Sequence, residues 1–243
     1  MEIGVKTDVG IVRDNNQDAY YVSSNKDYPL FIIADGMGGH KAGEIASEMA
    51  IEIISKNLSN HLTASSVADE DIKDRIQDSI SEANNKIYKK SMEDEKYSGM
   101  GTTVTLAFIT DDKIFIGHVG DSRAYLLRNS ILSQITEDHS LVEELIRNGS
   151  ISKEEAKYHP QRNIITRAVG TSMAIKADVI VESIRKNDIL LLCTDGLTNM
   201  VDDNQIKDFL INSEDIQKSC EELVKLSNNK GGFDNITVLA VKF

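Results

Sequence analysis

Cysteine and proline are scarce in this chain, and each scarcity excludes something. Two cysteines among 243 residues cannot build a disulfide framework, and Cys193 and Cys220 do not form a CxxC metal or redox site. Cys193 lies in an apolar strand-like run and Cys220 in a helix-like one, so both read as buried thiols in a reducing compartment. Only two prolines and no low-complexity run argue against a linker, which leaves 1–243 as one domain. Basic residues number 27 against 39 acidic ones, a net charge of −12 with no relieving Lys/Arg cluster. That disfavours nucleic acid or an anionic membrane as partner. The N-terminal MEIGVKTDVG lacks the basic and apolar regions of a signal peptide, and no apolar run approaches membrane-spanning length. The expectation is a cytoplasmic protein with a substantial core.

What is present centres on Leu30 to Ala46, LFIIADGMGGHKAGEIA. An apolar run stops at Asp35, glycines follow, and from Lys41 the apolar residues fall at helical spacing through Ile45, Met49 and Ile53. This predicts strand, tight turn, helix. The glycines do not make a P-loop, because Gly43 is followed by Glu44 and Ile45 where lysine and a hydroxyl are needed. Nor do they make a dinucleotide fingerprint, since Lys41 stands where the third glycine belongs.

Strands are expected at 2–7, 19–23, 30–34, 103–109, 113–119, 124–127, 188–193 and 236–241. Long helices are expected at 41–60 and 69–92, the second with a stripe of Ile72, Ile76, Ile80, Ala83 and Ile87. Asp111-Asp112 marks a hairpin, short helical pieces fall at 140–148 and 152–158 in a section irregular to about 175, and helices close the chain at 204–211 and 216–227. The pattern predicts an α+β fold with mainly antiparallel sheets flanked by helix pairs.

Five aspartates are expected at strand ends: Asp18, Asp35, Asp121, Asp195 and Asp234. Any one alone reads as a surface turn. Gathered at one edge they would repel unless cations sat among them. An all-oxygen donor set suits Mg²⁺ or Mn²⁺ over Zn²⁺, and two such ions side by side serve phosphoryl hydrolysis.

At this point the chain resembles the PPM family, the 2C-type metal-dependent protein Ser/Thr phosphatases. The likeness spans its length in eight ordered motifs: Arg13-Asp14-Asn15-Asn16-Gln17-Asp18, Asp35-Gly36-Met37-Gly38-Gly39, Gly101-Thr102-Thr103, Gly120-Asp121-Ser122-Arg123, Asp138-His139-Ser140, Thr166-Arg167-Ala168-Val169-Gly170, Thr194-Asp195-Gly196-Leu197 and Asp234-Asn235-Ile236-Thr237. The resemblance implies a four-layer αββα sandwich with two Mn²⁺ or Mg²⁺ ions between the sheet edges. Asp35 would bridge them, the Gly36 carbonyl would serve one, and Asp195 and Asp234 would complete the other. Asp18 would hold metal-bound water, Asp121 with Asp195 would take a third ion, and Arg13 would grip the phosphate. The implied chemistry is direct attack of a metal-bridging hydroxide on phosphoserine or phosphothreonine in proteins.

Met37 stands where eukaryotic members carry the histidine proposed as general acid, which looks bacterial; His40 or metal-bound water is left for that role. His118 and His139 read as structural, and Ser122, Thr102 and Thr103 as packing or hydrogen-bonding residues. The section from about 143 to 174 corresponds to the family's flap. Its Arg147, Lys153, Lys157, Arg162 and Arg167 either meet phosphoprotein substrates or are solvated. The resemblance further implies a cognate membrane-anchored Ser/Thr kinase as partner in signal transduction, with the phosphatase itself a monomer. A hydrolase of small phosphoesters and a catalytically dead binding module are the rival readings.

Overall fold

A computed structural model describes residues 1–23, 29–39, 42–61, 68–212 and 215–243. Five strands, β1 (Glu2–Asp8), β7 (Arg123–Arg128), β8 (Ile131–Gln134), β10 (Ile189–Cys193) and β11 (Ile236–Lys242), form one antiparallel sheet in the order β1-β11-β10-β7-β8. The other sheet runs β2 (Asp18–Val22), β3 (Leu30–Met37), β5 (Val104–Ile109), β6 (Lys113–Val119), β9 (Asp178–Ser183), with the short β4 (Gly101–Thr102) against β3.

Three apolar layers hold these sheets and their helices together, and strand alternation sorts residues among them. Leu30 and Ile32 of β3 face α1 (Ala42–His61) and α2 (Asp69–Glu93), together with Ile54, Ile76, Ile80 and Ile87. Phe31 and Ile33 point the opposite way, to Leu190, Leu192, Leu239 and Val241 of the facing sheet. Beyond that sheet, Leu191, Val238 and Ala240 meet Ile206 of α6 (Asp203–Asn212) and Cys220 and Leu223 of α7 (Ile216–Asn229). Both faces of the central strands are therefore buried, which explains their continuous apolar runs. The result is helix pair, sheet, sheet, helix pair, as expected. Both cysteines are buried free thiols.

Three local expectations need correction. The strand does not stop at Asp35: β3 continues to Met37 because Gly36 and Met37 pair with Thr102 and Gly101. The irregular section, which holds α3 (Leu141–Arg147) and α4 (Lys153–Ala156), is followed by a strand, β9, and a further strand, β8, comes after β7. Both lie at sheet edges, pair on one side only, and carry half-exposed or exposed residues with no clean alternation.

The topology brings the five aspartates to one end. In antiparallel pairs the start of β2 lies beside the end of β3, and the start of β11 beside the end of β10. β6 runs antiparallel to β5, and β5 to β3, so β6 and β3 finish at the same edge. Asp121 follows β6 there, after Gly120. That glycine holds φ +115°, and a Cβ on it would overlap Thr103.

Candidate metal centre

Asp18 and Asp35 stand directly opposite each other in the β2–β3 register. Asp18 also ties the two sheets together. Its Oδ2 accepts hydrogen bonds from Thr194 Oγ1 (2.9 Å) and Thr237 Oγ1 (2.7 Å), both on the facing sheet side. Asp35 is fixed through its backbone. Its N–H donates to Thr103 Oγ1 and its carbonyl accepts from Thr102 Oγ1, each at 2.9 Å, while Thr103 Oγ1 pairs with Ser122 Oγ at 2.8 Å. Thr102, Thr103 and Ser122 are thus hydrogen-bonding residues, as anticipated.

Asp195 begins α5 (Asp195–Thr198) just past β10, and Asn199 Nδ2 donates to its Oδ2 at 3.0 Å. Asp234 precedes β11 and accepts from Arg13 Nη2 at 2.8 Å. Asn235 pins the loop between β1 and β2: its Oδ1 accepts from Gln17 N–H, and its Nδ2 donates to the carbonyls of Val9 and Asn15. Gly36 lies so close to Gln17 and Gly43 that a Cβ would overlap their backbones.

Arg13, Asp35, Gly36, Asp121, Asp195 and Asp234 line a cleft of about 400 Å³, together with Arg162, Asn163 and Ile165. Asp18, opposite Asp35 in the strand register, is not among the lining residues. Of the five cations named between 143 and 174, only Arg162 lines the cleft: Arg147 pairs with Glu137, and Arg167 with Asp178. Asn163, Ile165, Asn199, Met200 and Phe233 carried no chemical signal in the sequence, because lining a cleft needs position rather than a residue type. His40 lies outside the described residues. Met37 lines the cleft, and no histidine does among the described residues.

The electrostatics are those of crowded carboxylates. Burial first, then the charges of Asp18, Asp195, Asp121 and Asp234, hold the Asp35 carboxyl well above the usual range. Burial lifts Asp18 to about 7 despite the two threonine hydroxyls, with Asp195 and Asp234 adding to the rise. Asp121 rises to about 8, through burial and then the charges of Asp195 and Asp138. Asp195 rises to about 6, through burial and then Asp234. Such mutual influence requires the five groups to be neighbours.

His118 and His139 are both buried and serve the scaffold. His139 Nδ1 accepts from Gly120 N–H (3.0 Å) and its Nε2 faces Asp178 Oδ2 (3.0 Å), which fixes the ring beside the Asp121 turn. His118 bonds Thr105 and the Glu137 carbonyl, and burial drives it to about 3.

The donor set fits hard divalent cations. Three buried carboxyl oxygens, Asp18 Oδ1, Asp121 Oδ1 and Asp195 Oδ1, have no hydrogen-bond partner, a costly arrangement unless something positive meets them. Among the described residues no three His, Cys, Asp or Glu side chains already close on one point. Mg²⁺-like ions do not need that, since they take one or two carboxylates and fill the remaining positions with other oxygens and water.

A family model for Protein phosphatase 2C matches residues 12–231. The chain belongs to the protein phosphatase 2C family. The serine/threonine phosphatase stp of Listeria monocytogenes serotype 4b is 42% identical over 243 residues, spanning 100% of this chain and 96% of that one. The Streptococcus agalactiae serine/threonine phosphatase structure superposes with a TM-score of 0.91 at 40% identity, covering 98% of both chains. The catalytic domain of the phosphatase PstP, solved in complex with two manganese ions, gives a TM-score of 0.85 at 32% identity over 98% of this chain and 96% of that one. Within the 2C family, then, this chain shares its fold with a member that holds two metal ions. No helix among the described residues is long and apolar enough to cross a membrane.

Proposed function

We infer that this 2C-family protein Ser/Thr phosphatase hydrolyses phosphoserine and phosphothreonine esters in the cleft between the two sheet edges. The observation that carries this reading is the trio of buried, unpartnered carboxyl oxygens on Asp18, Asp121 and Asp195 beside a cleft that also holds Arg13.

In this reading Asp35, the Gly36 carbonyl, Asp195 and Asp234 would hold two cations. Asp121, with Asp195, would hold a third. Bound there, Mn²⁺ or Mg²⁺ would neutralise the carboxylates, activate water and offset charge on the phosphoryl group. Asp18, held by Thr194 and Thr237, would orient metal-bound water.

Arg13 receives the phosphate. Its guanidinium carries five N–H donors in a fixed fork and uses Nη2 on Asp234, so donors remain for phosphate oxygens. The leaving serine or threonine oxygen needs a proton that Met37 cannot give, which leaves His40 and water as sources. Upstream, a membrane-anchored Ser/Thr kinase of the eukaryotic-like type would supply the phosphoproteins to a monomeric cytoplasmic phosphatase acting in signal transduction.

Hydrolysis of a phosphothreonine peptide by wild type and Asp195→Ala, with Mn²⁺, with Mg²⁺ and with excess EDTA, tests this. Turnover that needs metal and vanishes in the variant is expected; turnover that survives both chelation and the substitution overturns it.

A further inference from the structure

The cleft has two unlike rims. The flap supplies one, with Arg162 and Asn163. The other comes from two loops locked backbone to backbone: Ile11 N–H and Val12 N–H both donate to the Gly232 carbonyl, at 2.8 and 3.2 Å. Gly10 (φ +82°) packs so tightly on the Gly232 and Asp234 carbonyls that a Cβ would overlap them. Gly232 (φ +50°) lies against Ile11. From this rigid pair Ile11, Val12 and Phe233 project 68%, 59% and 61% exposed. Single exposed apolar side chains are ordinary; three on adjoining loops of a chain with net charge −12 form a patch.

The patch is continuous with the phosphate-handling edge. Arg13 follows Val12, Asp234 follows Phe233, and Arg13 and Asp234 are ion-paired at 2.8 Å. Phe233 itself lines the cleft.

We propose that Ile11, Val12 and Phe233 form a ledge that takes an apolar side chain next to the phosphorylated residue, so that the enzyme selects phosphopeptides with a hydrophobic neighbour. This rests on the reading that Arg13 grips the phosphate. Consecutive Cα atoms lie about 3.8 Å apart, so a phosphate seated at Arg13 brings residues one or two positions away over the adjoining rim. The hydrogen-bonded loops are preorganised, so docking orders little that is not already ordered. A second copy of this chain fits the ledge poorly, because three side chains fall far short of the roughly 800 Å² per partner that a stable interface needs.

Two phosphothreonine peptides, identical except for leucine or serine flanking the phosphoresidue, test the proposal through the ratio of their kcat/KM values. Wild type is expected to favour the leucine peptide about tenfold, mainly through KM. Phe233→Ser and the Ile11→Ser/Val12→Ser double variant should bring the ratio towards one. Arg13→Ala should lower both peptides alike and keep the ratio, which separates the ledge from the phosphate grip. Equal wild-type rates, or a preference that persists in both ledge variants, overturns the ledge while leaving the Arg13 reading intact. An Arg13→Ala enzyme with undiminished kcat/KM on both peptides removes the phosphate grip and the ledge's anchor with it. A dimer in sedimentation that Phe233→Ser dissolves would assign the surface to a second copy and overturn the proposal.

Discussion

Thr237 on one sheet donates a hydrogen bond to Asp18 on the other across 2.7 Å, and Thr194 repeats the contact at 2.9 Å. These hydroxyls favour the ionised form of a carboxyl that burial pushes towards neutrality. A hydrogen bond to a charged group contributes about 1.5–3 kcal/mol. Thr194→Val and Thr237→Val should each weaken Mn²⁺ binding at neutral pH by about tenfold, read by titration calorimetry. Unchanged affinity in the double variant would show that Asp18 plays no part in holding the ions.

Asp35→Asn separates stability from activity. Asp35 lies among four like charges, and each raises its pKa. Removing its charge should raise the melting temperature in EDTA by several degrees while lowering turnover by at least about 100-fold. Stability and activity falling together would mean that the carboxyl serves the scaffold.

Protonation gives an independent check. Asp195, Asp18 and Asp121 sit at about 6, 7 and 8, all above the ordinary 3.8 of the unfolded chain. The cation-free folded state therefore binds more protons than the unfolded one, so this stability is full at low pH and is lost as pH rises through those values. His118 works in the opposite sense between about 3 and 6.5, which makes higher pH the clean window. Between pH 6.5 and 8 the melting temperature in EDTA should fall by several degrees, and saturating Mn²⁺ should abolish the fall. A flat profile in EDTA would contradict the crowding.

Arg13→Lys keeps the charge and loses the planar fork. A drop of about tenfold in kcat/KM is expected, against about 100-fold for Arg13→Ala. Equal losses would mean that charge alone matters there.

Gly117 in β6 tests the packing of the helical layer. A Cβ at that position would meet Ile76 Cγ2 at 2.5 Å and Ile80 Cδ1 at 3.2 Å on α2. Gly117→Ala should cost about 1–3 kcal/mol in chemical denaturation through overpacking.

The layer order was legible because both signals are local. Ile72, Ile76, Ile80 and Ile87 recur at helical spacing, and LFIIA and ILLLC are short apolar runs that end at Asp-Gly turn signals, as central strands do. The edge strands β8 and β9 escaped because half-exposed residues paired on one side leave no periodic mark. The reach of β3 through Asp35 to Met37 was hidden as well, since its partner at Gly101–Thr102 lies some 65 residues away.

The site divides the same way. The sequence by itself determined which residue types were available: five aspartates beside strands, an arginine in a polar loop and no histidine or cysteine at metal spacing. Those facts restrict the donors to oxygen and the cation to a hard one. Only the tertiary structure decided that the five carboxyls meet, because antiparallel pairing within each sheet and face-to-face stacking between them put their strand ends at one edge. It alone also joined Asp18 to Thr194 and Thr237, chose Arg162 from the five cations between 143 and 174, and brought Phe233 and Arg13 to the same cleft. Such choices depend on contacts between residues distant in the chain, and no local pattern of side chains records them.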